Sequence, residues 1–230
     1  MMTRPKVLLA PYGRKMKEIF STKDLERLRT FSEVLWARDE PLPDSFLEEV
    51  LPEIWAFVGA RPQFDRARIA RAPRLRAIVE VGGGFPESID YEACFARQIR
   101  VLSCAPAFGR QVAEMALAMA LAGARGLVRE HEAFRRGEET WQGEKMGWDF
   151  GLVGQDVGMI GFGSLARNLL RLLAPFRCTV RVYDPWLPRS IIEEAGCEPS
   201  DLDTLLKKSR VVFVLAVPTP ENKGLLSKER

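Results

Sequence analysis

The stretch from Val157 to Asp184 constrains the fold more than any other part of the chain. Val157-Gly158-Met159-Ile160 is an apolar run that ends in Gly161-Phe162-Gly163. From Leu165 to Leu173 apolar residues recur at helical spacing, and a second apolar run, Thr179 to Tyr183, ends on Asp184. Strand, tight turn, helix, strand and acid in this order are the context that a glycine-rich phosphate-binding turn requires. Gly161 permits the turn out of the strand. Gly163 removes a Cβ, so that the backbone can approach a pyrophosphate. The amides near Ser164 and Leu165, at the start of the helix, point at that anion with the helix dipole behind them. Asp184 follows Gly163 by 21 residues, close to the ~20-residue spacing at which a carboxylate accepts from ribose hydroxyls. A 2′-phosphate would be repelled there, so the stretch predicts NAD rather than NADP. Ala166 stands at the third glycine position, a variant the pattern allows.

A chain of 230 residues suggests one large or two small domains. With 47% hydrophobic and 28% charged residues it has the composition of a soluble globular protein. A net charge of +3 without a basic block implies no nucleic-acid partner. The densest set of cations, Arg66, Arg68, Arg71, Arg74 and Arg76, reads as a solvated helix face and loop. Cys94, Cys104, Cys178 and Cys197 show no C-x-x-C or zinc-ligand spacing. They read as reduced, mostly buried thiols of a cytoplasmic protein with no metal site. The longest apolar stretch, Met115 to Ala124, is too short to span a bilayer, so no membrane role is expected.

Upstream of the fingerprint, strands and helices alternate. Strands are expected at 6–10, 33–36, 55–59, 75–81 and 99–102, with helices at 17–29, 44–51, 65–72 and 89–98 between them. This alternation argues for a parallel, doubly wound sheet of about 100 residues. Phe108 to Leu127 is a long helix, apolar nearly all round, and is expected to be buried on most sides. The charged stretch 129–150, with Trp141 and Trp148, is an excursion before the fingerprint strand. After Asp184 come a helix at 188–195, a weak strand near 197–198, a helix at 202–208, a strong strand at 211–217 and the start of a helix from Glu221.

Four stretches, in order, resemble the D-isomer-specific 2-hydroxyacid dehydrogenases. They are Leu75 to Gly84, Val101 to Pro106 with Val112-Ala113-Glu114, Val157 to Arg167 with Tyr183-Asp184-Pro185, and Val217-Pro218-Thr219-Pro220-Glu221-Asn222-Lys223-Gly224-Leu225. The resemblance implies a flavodoxin-like substrate domain at 1–107, an interdomain helix at 108–128 and an NAD-binding Rossmann domain at 129–230. It implies hydride transfer between C2 of a small 2-hydroxy or 2-oxo acid and the nicotinamide, and a homodimer. Val81, Gly82, Gly83 and Gly84 would then offer backbone amides to the substrate carboxylate. Gly161, Gly163, Ser164, Leu165, Asp184 and Pro185 would hold the adenosine diphosphate half of NAD, and Val217 and Pro218 would border the nicotinamide side.

The chain departs from the family pattern in its catalytic groups. The family supplies an arginine, a glutamate and a glutamate-oriented histidine beyond the loop that matches Val217 to Leu225. None matches here, and the only histidine, His131, reads as a surface residue. Only strands 1 to 4 of the Rossmann sheet are accounted for. The expectation is therefore a C-terminally truncated dehydrogenase, inactive alone, with no catalytic residue assigned. The alternative is a non-enzymatic NAD-sensing or partner-binding module of the same fold. Phe85-Pro86-Glu87 departs from the family's aromatic-Asp-Asn pattern, which points to an unusual substrate preference.

Overall fold

The computed structural model describes residues 4–139 and 149–227. Trp141, Trp148 and Arg230 lie outside the described residues. The chain divides into two units, Met1–Phe108 and Gly109–Arg230.

In the first unit, β1 (Lys6–Ala10), α1 (Met16–Ile19), α2 (Thr22–Phe31), β2 (Glu33–Trp36), α3 (Asp44–Val50), β3 (Ile54–Gly59), α4 (Arg66–Arg71), β4 (Ala77–Glu80), α5 (Tyr91–Ala96) and β5 (Arg100–Ser103) follow one another. The strands form one parallel sheet of order β2-β1-β3-β4-β5. That is the flavodoxin-like order, in which ligands gather at the carboxyl ends of the strands. Near-continuous apolar strands are what a sheet covered on both faces requires. Leu8, Phe57 and Ile78 meet Leu51, Phe64, Ile69 and Leu75 in one core. Phe64 is fully buried, its ring edge-on to Phe57 at 5.2 Å, and burial of such a ring contributes about 2–3 kcal/mol.

Two features of this unit refine the expectation. The stretch expected to be helical at 17–29, with an N-cap at Ser21-Thr22-Lys23-Asp24, is two helices, and Ser21 caps the second by accepting from the Asp24 amide at 3.1 Å. The arginine cluster is exposed at Arg66, Arg71, Arg74 and Arg76, as expected of a solvated face, but Arg66, Arg68 and Arg71 are also ion-paired. Arg68, its side chain 17% exposed, reaches Glu48 at 2.8 Å and Asp44 at 3.0 Å, while Arg71 also binds Glu48 and Arg66 binds Asp90 at 2.9 Å.

The second unit contains most of α6 (Ala105–Ala124), then α7 (Leu127–Arg136), β6 (Asp156–Ile160), α8 (Ser164–Leu173), β7 (Thr179–Tyr183), α9 (Arg189–Glu194), β8 (Glu198–Pro199), α10 (Leu202–Lys208) and β9 (Val211–Val214). Its parallel sheet has the order β8-β7-β6-β9, the 3-2-1-4 arrangement of a dinucleotide-binding sheet. Arg181 on β7 bridges Asp156 of β6 at 2.6 Å and Glu198 of β8 at 3.1 Å, which fixes the register at the end of the sheet away from the fingerprint.

Here too the boundaries moved. Helix α6 starts at Ala105 rather than 108, since Pro106 in a first turn gives up an amide that has no intrahelical partner. Within the chain it buries Gly109, Ala113 and Ala124 and leaves Met115 and Met119 exposed. Strand β9 stops at Val214 rather than 217, because Ala216 turns in against Gly161. No helix follows Glu221 as far as residue 227; a single 3₁₀ turn, Pro220–Asn222, stands there. His131 is exposed on α7, and the four cysteines are free. Among the described residues no single helix is long and apolar enough to cross a membrane.

Two N-cap carboxylates give the fold an acid sensitivity. Asp90 is held below the usual carboxylate range by the Arg66 guanidinium and by the Ala93 amide at the start of α5. Asp201 is held down by the Thr204 amide at the start of α10. Both favour the charged form in the folded state. Their contribution is therefore complete above the unfolded carboxylate pKa of about 4 and is lost as pH falls through the lower folded value. Thermal melts are expected to shift downward as pH is lowered past about 4, and Asp201→Asn to flatten that dependence for the second unit.

Candidate functional site

The second unit carries a cavity of about 740 Å³ at the carboxyl end of β6, within the size range of ligand sites. It is built by the fingerprint. Gly161 leaves β6 at φ +89°, where an L side chain is strained. A Cβ on it would lie 2.8 Å from both Cα and N of Ala216. The turn is pinned on both sides, since the Gly161 amide donates to the Tyr183 carbonyl at 2.8 Å and the Leu215 amide to the Ile160 carbonyl at 2.8 Å. Phe162 is fully buried beneath the turn. Gly163 has ordinary extended dihedrals as the N-cap of α8, and a Cβ there would meet no protein atom within 4 Å. That open space lies over the first amides of α8, where helix dipole and unpaired N–H groups favour an anion.

Asp184 faces the same cavity from the end of β7. One of its oxygens accepts from the Phe162 amide at 2.8 Å and the other from the Trp186 amide at 3.0 Å. A carboxylate has about four lone-pair sites, so acceptor capacity on each oxygen is left for a diol. Space over Gly163, amides at the helix start and a two-oxygen acceptor opposite them fit the pyrophosphate and ribose of a dinucleotide.

Of the fingerprint residues, Gly161, Gly163, Ser164, Asp184, Pro185 and Val217 line this cavity. Leu165 and Pro218 do not. Leu165 packs on the apolar core below α8, and Pro218 is exposed beside the cavity. Several lining residues were not foreseen. Arg167 and Arg171 project from one face of α8, and Arg167 sits 5.6 Å from the Phe162 ring. Their i, i+4 spacing was the available signal. Trp186 covers the Asp184 side and is 83% exposed. Asn222 orders the loop after β9. Its side chain accepts from the Thr219 amide at 2.9 Å and donates to the Val217 carbonyl at 2.8 Å.

In the first unit, the loop after β4 contains the other predicted residues. Val81 is corrected. It is 2% exposed and its amide donates to the Gly59 carbonyl at 3.1 Å, so it belongs to the core and the sheet. The amides of Gly82, Gly83 and Gly84 all point to the Glu80 carboxylate, at 2.7, 2.6 and 2.9 Å. A cavity of about 500 Å³ beside them is lined by Arg14, Arg61, Glu80, Gly82, Gly84 and Phe85, among others.

Comparison with known proteins agrees with this geometry. Residues 117–230 match the model of the family described as "D-isomer specific 2-hydroxyacid dehydrogenase, NAD binding domain". D-3-phosphoglycerate dehydrogenase of Mycobacterium tuberculosis is 29% identical over 197 residues, which is 86% of this chain and 36% of that protein. Glyoxylate reductase of Thermococcus litoralis is 28% identical, over 89% of this chain and 63% of that protein. The chain thus spans between about a third and two thirds of the length of these relatives. Among solved structures, a phosphoglycerate oxidoreductase from Rhizobium etli superposes with a TM-score of 0.75 at 37% identity, covering 94% of this chain and 66% of that one. With a 3-2-1-4 sheet, a glycine turn open to an anion and an acid at the end of the second strand, residues 117–230 are an NAD-binding domain of the D-isomer-specific 2-hydroxyacid dehydrogenase family.

Proposed function

We propose that this chain binds NAD through Gly161, Gly163, Ser164 and Asp184, and that it is the cofactor- and acid-binding part of an oxidoreductase acting on the CH–OH group of a small 2-hydroxy acid. The observation that carries the reading is the open space over Gly163 facing the two-oxygen acceptor of Asp184. NAD, when bound, supplies the hydride acceptor. The chain's own residues orient it. The first amides of α8 take the pyrophosphate, Asp184 takes the adenine ribose, and Val217 borders the nicotinamide side of the cavity. The acid is assigned to the cavity beside the loop Gly82–Gly84, which Arg14 and Arg61 line.

No histidine lines the NAD cavity, and His131 is exposed on α7. A proton donor and acceptor at the substrate hydroxyl is what the chemistry needs, and the proposal is that the 230-residue polypeptide by itself binds the cofactor without turnover. The exposed apolar residues Met115, Met119, Leu127, Val128 and Phe134 on α6 and α7 support a homodimer. Four free thiols suit the cytoplasm.

Calorimetric titration tests the reading. NAD is expected to bind more tightly than NADP by about tenfold or more, and Asp184→Ala to weaken NAD by about tenfold and narrow that ratio, as loss of hydrogen bonds to a charged acceptor predicts. Equal affinity for the two cofactors in the unaltered chain would remove Asp184 from the ribose site. Oxidation of NADH with glyoxylate or hydroxypyruvate by this chain alone would overturn binding without turnover.

A further inference from the structure

The loop after β4 already holds an anion, and that anion is the protein's own. Glu80 ends the strand and is 5% exposed. One of its oxygens accepts from the Gly82 amide, and the other accepts from those of Gly83 and Gly84. The glycines that made this loop look like a seat for a foreign carboxylate are explained by the internal one. A Cβ at position 82 would lie 2.6 Å from the Glu80 Oε1. Gly83 has φ +97°, and a Cβ there would press on the Phe108 ring at 3.6 Å. Only Gly84 has free space around its missing side chain.

An acid that sought these three amides would have to expel a buried carboxylate tethered a few bonds away. Such a group competes at an effective concentration far above any free ligand. Were Glu80 to stay nearby, two like charges would share one site. The same cavity offers cations instead, Arg14 and Arg61. The Arg14 guanidinium lies 4.3 Å over the Phe108 ring and forms no ion pair among the described residues. It lines the cavity with Gly82, Gly84 and Phe85.

We infer that Glu80 is a specificity-determining residue, which keeps the Gly82–Gly84 amides for itself and leaves the carboxylate of an acid substrate to the Arg14 guanidinium. This rests on the proposed reading that the first unit binds a small 2-hydroxy or 2-oxo acid. A guanidinium takes a planar carboxylate in a two-pronged pair, at a position displaced from the loop amides. Selectivity among acids then depends on what fits between Arg14 and Phe85.

Nuclear magnetic resonance of the 15N-labelled 230-residue chain, titrated with oxalate, tests the inference. Oxalate is expected to shift the Arg14 side-chain N–H signal and to leave the Gly82, Gly83 and Gly84 amides in place. Arg14→Ala is expected to abolish the titration. In Glu80→Ala the three amides lose their acceptor, and oxalate is expected to shift them and to bind about tenfold more tightly. Glu80→Gln, of the same shape, provides a second variant in which a side-chain donor faces the amides. Oxalate shifts at Gly82–Gly84 in the unaltered chain would overturn the inference and leave the acid-binding reading intact. No response to oxalate in the unaltered chain and in both Glu80 variants would overturn the two together. The titrations of the unaltered chain and of Arg14→Ala decide the matter even if the Glu80 variants fail to fold.

Discussion

Gly161→Val is expected to cost the second unit both its cofactor and a large part of its stability. The residue stands at φ +89°, a region that β-branched side chains essentially avoid. The added Cβ would lie 2.8 Å from the backbone of Ala216, not from a side chain that can swing away. Neither neighbour can yield, since hydrogen bonds from Gly161 to Tyr183 and from Leu215 to Ile160 fix the crossing on both sides. Backbone strain and overpacking each cost about 1–3 kcal/mol, against about 5–15 kcal/mol for a whole domain. Urea denaturation should therefore show a loss of about 3 kcal/mol or more for the second unit, and calorimetry should show no NAD binding. A variant as stable as the parent would mean that the turn relaxes in solution to a conformation unlike this one.

The two halves of the chain differed in how much the sequence disclosed. In the second unit the information is local. Strand, turn, helix and acid follow one another within 28 residues, and Gly161, Gly163, Ser164 and Asp184 meet at one cavity. Strand positions in both sheets were legible because apolar runs bounded by glycine, proline and charge leave few alternatives. Element ends were less so. The limits of α6 and β9 depend on a first-turn proline and on the approach of Ala216 to Gly161, neither of which hydrophobic periodicity reports. Leu165 enters the cofactor assignment through its amide in the first turn of α8, while its side chain packs on the core.

In the first unit the decisive fact was one that spacing does not encode. Glu-Val-Gly-Gly-Gly reads equally well as a strand running into an open anion loop or as a carboxylate wrapped by its own following amides. Only the fold shows that Glu80 points back into the loop, while Val81, facing the other way, enters the core. Alternation along a strand explains the outcome. With Val81 buried on one side, its neighbour Glu80 must project on the other. Asn222 and Trp186 escaped notice for a different reason. Their roles come from loop closure against the sheet, which brings residues from separate segments to one cavity.

Gly163→Glu is expected to abolish NAD binding while leaving the fold untouched, and so to separate two uses of glycine within one turn. Gly163 has φ −78° and ψ −161°, which any residue adopts, and no protein atom lies within 4 Å of the Cβ position. A glutamate there is exposed, and its charge suits the start of a helix. A change in stability within about 0.5 kcal/mol is expected. Its carboxylate, however, enters the space over the α8 amides that the proposal gives to the pyrophosphate. Two like charges about 4 Å apart at an effective dielectric of ~20 repel by about 4 kcal/mol, which is roughly a thousandfold in affinity. Gly163→Ala, which adds bulk without charge, should lose less. Matching thermal melts together with titrations of NAD into both variants would check this. If Gly163→Glu binds NAD like the parent, the pyrophosphate does not lie over this turn. If it unfolds, the space seen at Gly163 serves the fold rather than the cofactor. Loss of binding with an intact melt is the result that assigns Gly161 to the backbone crossing and Gly163 to the ligand.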